Sequence, residues 1–152
     1  MEIKKRPRTQ TETMIFDSLG DSGKRLQIIK DRIAYVENYL IEMPLPEEKG
    51  IYLMIVHDKK PNAWYQIQKT KVLIGRAEEA DIIIEDINIS RIHCYIEENN
   101  GIWIMKDNGS KNGVFINGEK TMSRNLCEGD VLRVGKTEII FIRNEGEDFI
   151  SQ

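Results

Sequence analysis

From residue 51 onward the chain consists of short runs of β-forming residues separated by turn signals, and this pattern constrains the fold more than any other feature. The connections carry Asn-Gly pairs at 100–101, 108–109, 112–113 and 117–118, which suit tight turns. No helical periodicity interrupts the runs, so they predict an all-β sandwich or barrel. The predicted strands are 51–57, 63–68, 71–75, 81–84, 92–98, 101–107, 114–116, 131–134 and 137–142.

The segment before this region has a different character. Residues 17–42 form a predicted helical extension, because apolar residues recur at steps of three and four from Leu26 to Leu40. We expect this helix to pack on the following domain; dimerisation through residues 23–41, or docking onto a partner, is the alternative. The remaining predicted segments are a flexible tail at 1–16, a linker at 43–50 that contains two prolines, a β domain at 51–143 and a C-terminal tail at 144–152.

Composition narrows the class of protein. The formal net charge of −3 argues against a non-specific nucleic-acid binder, which would carry a basic excess. No apolar run is long enough for a membrane span or a signal peptide, so we expect a cytoplasmic protein without a membrane partner. Cys94 and Cys127 are expected to be reduced thiols, and the two histidines lack metal-site spacing. We therefore expect neither a metal nor a cofactor.

Polar residues break the strand pattern in three loops: Gly75-Arg76, the run 90–93 (Ser-Arg-Ile-His) and the run 108–113 (Asn-Gly-Ser-Lys-Asn-Gly). Loops at one end of a sandwich can converge. If these three do, they offer two guanidinium groups, a lysine, hydroxyls and amide donors. Such a donor-rich set suits an anion with several acceptor oxygens, namely a phosphate.

In order and spacing, these motifs resemble the signature of the forkhead-associated (FHA) domain. The resemblance also includes the run from Gly113 to Gly118 and the later Gly129-Asp130-x-Leu132-x-Val134-Gly135, and it covers about residues 51–143. It implies an FHA-type antiparallel β-sandwich preceded by a flexible tail and one α-helix. It also implies a phosphothreonine-dependent protein–protein interaction module in Ser/Thr kinase signalling, whose partner is a phosphothreonine-containing protein.

The resemblance assigns roles residue by residue. Arg76 and Ser90 would bind the phosphate, and Asn112 would hold the ligand backbone. Lys111 departs from the family, which usually has a small residue there, and adds a positive charge. The candidate phosphopeptide-binding residues are Arg76, Ser90, Arg91, Ser110, Lys111 and Asn112, and the residues expected to shape the site are Gly75, His93, Gly109 and Gly113.

The N-terminal tail adds a regulatory hypothesis. Its layout is similar to that of small bacterial FHA regulators, in which a tail threonine is phosphorylated by a Ser/Thr protein kinase and the tail then folds back onto its own domain. The candidate phosphorylation sites are Thr9, Thr11 and Thr13. The alternative is a tail whose threonines have no such role.

Catalytic motifs fit poorly. Ser90 lacks the flanking glycines of a nucleophile elbow, and Gly135-Lys136-Thr137 lacks the upstream glycine of a phosphate-binding P-loop. We therefore predict that the protein is not an enzyme. The alternative function is a phospho-independent interaction scaffold that uses the N-terminal helix and a degenerate phosphate pocket.

Overall fold

The computed structural model of the chain describes residues 21–146, with side chains from residue 23. The predicted tail at 1–16, with Thr9, Thr11 and Thr13, lies outside the described residues, as does most of the predicted C-terminal tail. Within the chain, the boundary between two compact units falls between Pro44 and Leu45.

The first unit contains one described helix, α1 (Asp21–Glu42). It ends shortly before Pro44, which cannot continue a helical hydrogen-bond ladder. Its apolar stripe is only partly buried: Val36 is 7% exposed, whereas Ile29 and Ile33 are 44% and 52% exposed. No helix among the described residues is long and apolar enough to cross a membrane.

The second unit is a sandwich of two sheets, as predicted. The six-stranded sheet has the order β2-β1-β11-β10-β7-β8, and the five-stranded sheet has the order β4-β3-β5-β6-β9. The strands are β1 (Gly50–His57), β2 (Lys60–Ile67), β3 (Lys71–Gly75), β4 (Ile82–Ile83), β5 (Cys94–Asn99), β6 (Ile102–Asp107), β7 (Phe115–Ile116), β8 (Glu119–Lys120), β9 (Ser123–Asn125), β10 (Val131–Val134) and β11 (Thr137–Asn144).

The structure differs from the predicted strands in several details, including β2, which begins at Lys60 and not at residue 63, and β5, which begins at Cys94 and not at residue 92. Strands β8 and β9 were not predicted, because runs of two and three polar residues carry no alternation signal. Strand β3 pairs in parallel with β4, whereas the other pairings are antiparallel. Strand β11 continues to Asn144, one residue beyond the predicted domain boundary.

The core lies between the two sheets. Alternate side chains of each strand point inward, as a half-buried sheet requires. Leu53 and Phe141 from one sheet and Ile96 and Met105 from the other are fully buried there. Cys94 belongs to the same cluster, and its burial raises the pKa of its thiol to about 12. It is therefore a core residue and not a nucleophile.

The strand directions separate the two ends of the sandwich. Gly50 at the start of β1 pairs with Asn144 at the end of β11, and the Asn144 amide donates to the carbonyl of Pro46 at 2.7 Å. Strand β1 runs away from this end, β2 returns, and β3 runs away again to finish at Gly75. The chain thus enters and leaves the sandwich at one end, and the first polar loop lies at the other.

Candidate functional site

The first two polar loops are joined through their backbones. The N–H of Arg76 donates to the carbonyl of Ser90 at 3.1 Å, and the N–H of Ala77 donates to that of Arg91 at 3.0 Å. A Cβ atom at Gly75 would lie 2.1 Å from the Arg91 oxygen, a distance that no side chain can occupy. Glycine at this position therefore allows the two loops to meet, which sets Arg76 beside Ser90.

His93 connects these loops to the third one. Its side chain is completely buried. Nδ1 accepts a hydrogen bond from the N–H of Ser90 at 3.1 Å, and Nε2 lies 2.7 Å from the carbonyl oxygen of Gly113. Since the first partner is a donor and the second an acceptor, the ring proton is on Nε2. One neutral imidazole thus fixes the distance between the Ser90 loop and the loop of residues 108–113.

Further bonds draw the third loop over the second. The N–H of Lys111 donates to Ser90 Oγ at 3.2 Å, which leaves the serine hydroxyl proton available for another acceptor. The side-chain amide of Asn112 donates to the carbonyl of Asn88 at 2.7 Å. Both side chains, Lys111 and Asn112, are exposed. The Ser90 hydroxyl therefore contacts the backbone of the loop that carries the exposed Lys111 and Asn112 side chains.

The two arginines differ in how they are held. Arg76 Nε donates to the carbonyl of Ile89 at 3.1 Å, so the stem is oriented while the two terminal amino groups stay on an exposed side chain. Arg91 is 71% exposed, and its guanidinium is 3.7 Å from the carboxylate of Glu79. The structure therefore offers one fixed guanidinium fork and one that is loosely paired.

Ser110 supports the loop that carries Lys111 and Asn112. Its Oγ accepts from the N–H of Gly113 at 3.0 Å, and its own N–H donates to Asp107 at 2.8 Å. Gly109 and Gly113 have φ angles of +68° and +81°, a region that favours glycine. The loop is thus a closed turn, and Ser110 lies within it as a turn residue.

The loop between β3 and β4 is anchored by Asp81. Its carboxylate accepts from the N–H of Leu73 at 2.7 Å and contacts the Lys69 ammonium, while its backbone N–H donates to the Leu73 carbonyl. Burial opposes ionisation of Asp81, but the Leu73 N–H and the Lys69 ammonium outweigh it and lower its pKa. The start of this loop carries Arg76, so Asp81 helps to hold the site.

The structure thus brings the candidate phosphopeptide-binding and site-shaping residues to one end of the sandwich, whereas the three candidate phosphorylation sites of the tail lie outside the described residues. Several residues that shape the site were not predicted. The carbonyl groups of Asn88 and Ile89 orient Asn112 and Arg76, and Glu79 pairs with Arg91. Backbone carbonyls carry no residue-type signal, and an acidic residue in a polar loop is common, so neither could be singled out from the sequence.

The arrangement suits binding better than catalysis. The N–H of Ser90, and not its hydroxyl, bonds His93, and both imidazole nitrogens already have partners. No serine–histidine nucleophile pair exists at this site. The described residues contain no cluster of side chains that could hold a metal ion. An oriented Arg76 guanidinium and the Ser90 hydroxyl, with Arg91 and Lys111 on the same loops, suit a tetrahedral dianion.

Comparison with known proteins identifies the family of the domain. The family model of the FHA domain matches residues 72–135. The oxoglutarate dehydrogenase inhibitor of Corynebacterium diphtheriae is 33% identical over 91 residues, which are 59% of this chain and 64% of that relative. The chain therefore spans less than two thirds of that relative's length. The protein of the same name from Corynebacterium jeikeium is 31% identical over 105 residues, 68% of this chain and 71% of that one.

A solved structure shares the sandwich. It belongs to a structural and functional analysis of phosphothreonine-dependent FHA domain interactions. It superposes with a TM-score of 0.55 at 28% identity and covers 61% of this chain and 97% of the solved one. Since almost all of that chain is matched, the common part is a whole domain.

Proposed function

This chain belongs to the FHA domain family, and on that premise we propose that it binds partner proteins through phosphothreonine in Ser/Thr kinase signalling. The family membership and a relative named as an inhibitor favour an interaction module over an enzyme. In this proposal Arg76 and Ser90 bind the phosphate, Arg91 and Lys111 add positive charge, and Asn112 holds the peptide backbone.

One observation carries the proposal: His93 and Gly75 lock three separate loops together, so that the Arg76 fork and the Ser90 hydroxyl meet at one surface. A site that is already assembled loses little conformational entropy when a ligand binds. Phosphothreonine supplies about −1.5 to −2 charges and three acceptor oxygens. These match the donors that the loops present.

Fluorescence anisotropy with one peptide in phosphothreonine, phosphoserine and unmodified forms tests the proposal. We expect binding of the phosphothreonine form, and we expect Arg76→Ala to weaken it at least tenfold, since a charge-assisted bidentate contact is lost. Arg143→Ala is the matched control, because it removes an exposed arginine from the opposite end of the sandwich. Equal affinity for the phosphorylated and unmodified peptides would reject the proposal.

The finer proposal is autoregulation by the protein's own tail. A phosphorylated Thr9, Thr11 or Thr13 tethered to the domain would reach roughly millimolar effective concentration, enough to occupy a micromolar site. The test compares the binding of a phosphothreonine peptide to the unmodified protein and to protein phosphorylated by a Ser/Thr kinase. Self-occupancy predicts weaker binding after phosphorylation, and restored binding in a variant with all three threonines changed to alanine. Unchanged binding would exclude it.

The name of the corynebacterial relatives describes the inhibition of an enzyme. A regulated enzyme is therefore the class of partner that we would test first. Pull-down with phosphorylated and unphosphorylated protein would show whether such a partner binds the form with a free site or the form whose site is filled by its own tail.

A second function, scaffolding without phosphate, is favoured by the exposed apolar residues of α1. Leu26, Ile29 and Ile33 lie on one stripe and are 36%, 44% and 52% exposed. We propose this stripe as a surface for a second copy of the chain or another protein. Light scattering of the wild type and of the double variant Ile29→Ser/Ile33→Ser tests it. A dimeric wild type with a monomeric double variant supports the proposal, and a monomeric wild type rules out the homodimer.

A further inference from the structure

We propose that Glu79 is a specificity-determining residue that selects phosphothreonine peptides with basic residues next to the modified threonine. The inference rests on the proposed function and extends it to the choice of ligand. Its starting point is the ion pair between Glu79 and Arg91, whose closest nitrogen–oxygen distance is 3.7 Å.

Glu79 occupies a fixed place on its loop. Ala77, two residues before it, and Ala80, directly after it, are 6% and 7% exposed, and the N–H of Ala80 donates to the carbonyl of Ala77 at 3.1 Å. Ala77 is itself bonded to the Arg91 carbonyl, and Asp81 anchors the end of the loop. These bonds fix the backbone of Glu79 at the edge of the phosphate site, from which its exposed side chain reaches Arg91.

Binding of phosphate changes the surroundings of Glu79. A phosphate carries more negative charge than a carboxylate and attracts Arg91 toward the site that Arg76 and Ser90 form. When Arg91 turns to the phosphate, Glu79 loses its partner beside the bound peptide. A lysine or arginine of the peptide can then take the place of Arg91, whereas an acidic neighbour of the phosphothreonine is repelled.

The chain's own tail offers a suitable ligand sequence. Arg6 and Arg8 precede Thr9 closely, whereas Glu12 directly precedes Thr13. If Glu79 selects basic neighbours, phosphorylation of Thr9 gives a better ligand for this site than phosphorylation of Thr13. The negative charge of Glu79 thus predicts which tail threonine, once phosphorylated, binds the site more tightly.

The experiment uses the full chain and two labelled peptides spanning residues 4–14, both phosphorylated at Thr9. One has the natural sequence, and the other has glutamine in place of Arg6 and Arg8. We expect the wild type to prefer the basic peptide by about two- to fivefold at low salt, the range of an exposed ion pair. Glu79→Gln should abolish this preference.

Glu78→Gln is the matched control, since it removes the same charge from the neighbouring exposed position, and it should keep the preference. Equal binding of the two peptides by the wild type would overturn the inference. So would a preference that survives in Glu79→Gln, or one that both variants lose equally, because a general acidic field would then explain it. An unphosphorylated peptide separates the failures: if it binds as well as the phosphorylated forms, the proposed function itself fails.

Discussion

Replacing His93 by alanine tests whether one buried ring assembles the binding end. The variant leaves the Ser90 N–H and the Gly113 carbonyl without their partners at a fully buried position. Each orphaned group costs about 1–3 kcal/mol. The void left by a ring of roughly 60 Å³ adds about 1.4 kcal/mol at ~24 cal/mol per Å³. These terms sum to about 3–7 kcal/mol of unfolding free energy, and a loss at the lower end, ~4 kcal/mol, would lower Tm by roughly 15–30 °C.

Urea unfolding measures the loss, because Trp64 and Trp103 report on the two different sheets through their fluorescence. Phosphopeptide affinity is then measured at low temperature, where the variant is still folded. We expect it to fall more than tenfold, since the Ser90 loop is no longer tied to the Asn112 loop.

Cys94→Ala is the control for His93→Ala. Cys94 is the next residue and equally buried, but it faces the core and bonds none of the binding loops. It should cost about 1 kcal/mol and leave binding unchanged within twofold. The reasoning is refuted if His93→Ala unfolds at the wild-type urea concentration. It is also refuted if the folded variant binds the phosphopeptide with wild-type affinity.

Three further predictions concern the supports of the sandwich and its loops. Gly75→Ala should weaken phosphopeptide binding at least tenfold by anisotropy, because its Cβ would lie 2.1 Å from the Arg91 oxygen, whereas Gly101→Ala, with open space around it, should leave binding intact. Asp130→Ala should lower the unfolding free energy by about 2–4 kcal/mol in urea titration without changing the phosphate site, because its buried carboxylate accepts bonds from a side-chain amide and a backbone N–H at the opposite end. Asp81, whose pKa is lowered in the folded state, stabilises the protein above its unfolded pKa near 3.8 and loses this effect as the pH falls through the folded value. The difference in unfolding free energy between wild type and Asp81→Asn should therefore be largest at pH 6–7 and shrink toward pH 2; a constant difference would contradict it.

The sandwich could be predicted because its tight turns require particular residue types, which are visible in the sequence. Asn117, for example, has a φ of +53° and precedes Gly118 at +85°, as a tight hairpin turn requires. The side-chain amide of Asn117 also donates to the buried Asp130, and the turn pattern does not predict this contact. The backbone conformation that a turn requires can therefore be predicted from the sequence, whereas the long-range side-chain contacts of the same residue cannot.

The candidate site shows the same division. Arg76, Ser90 and His93 stand out because charged and polar side chains interrupt the strands. The sequence did not indicate that Ser110 accepts a bond inside its own loop, or that Glu79 faces Arg91. Both depend on how loops far apart in the chain fold over each other. Such contacts are set by the packing of the sheets beneath them.

The pairing of Gly50 with Asn144 has a consequence for larger architectures. Strand β1 has eight residues, so the two points of attachment lie about 26 Å from the opposite end at ~3.3 Å per residue. Segments attached before Gly50 or after Asn144 therefore join the sandwich at the end opposite the loops that carry Arg76 and Ser90. We therefore expect the sandwich to accept insertion into a host chain at this end, since the binding loops lie away from both junctions.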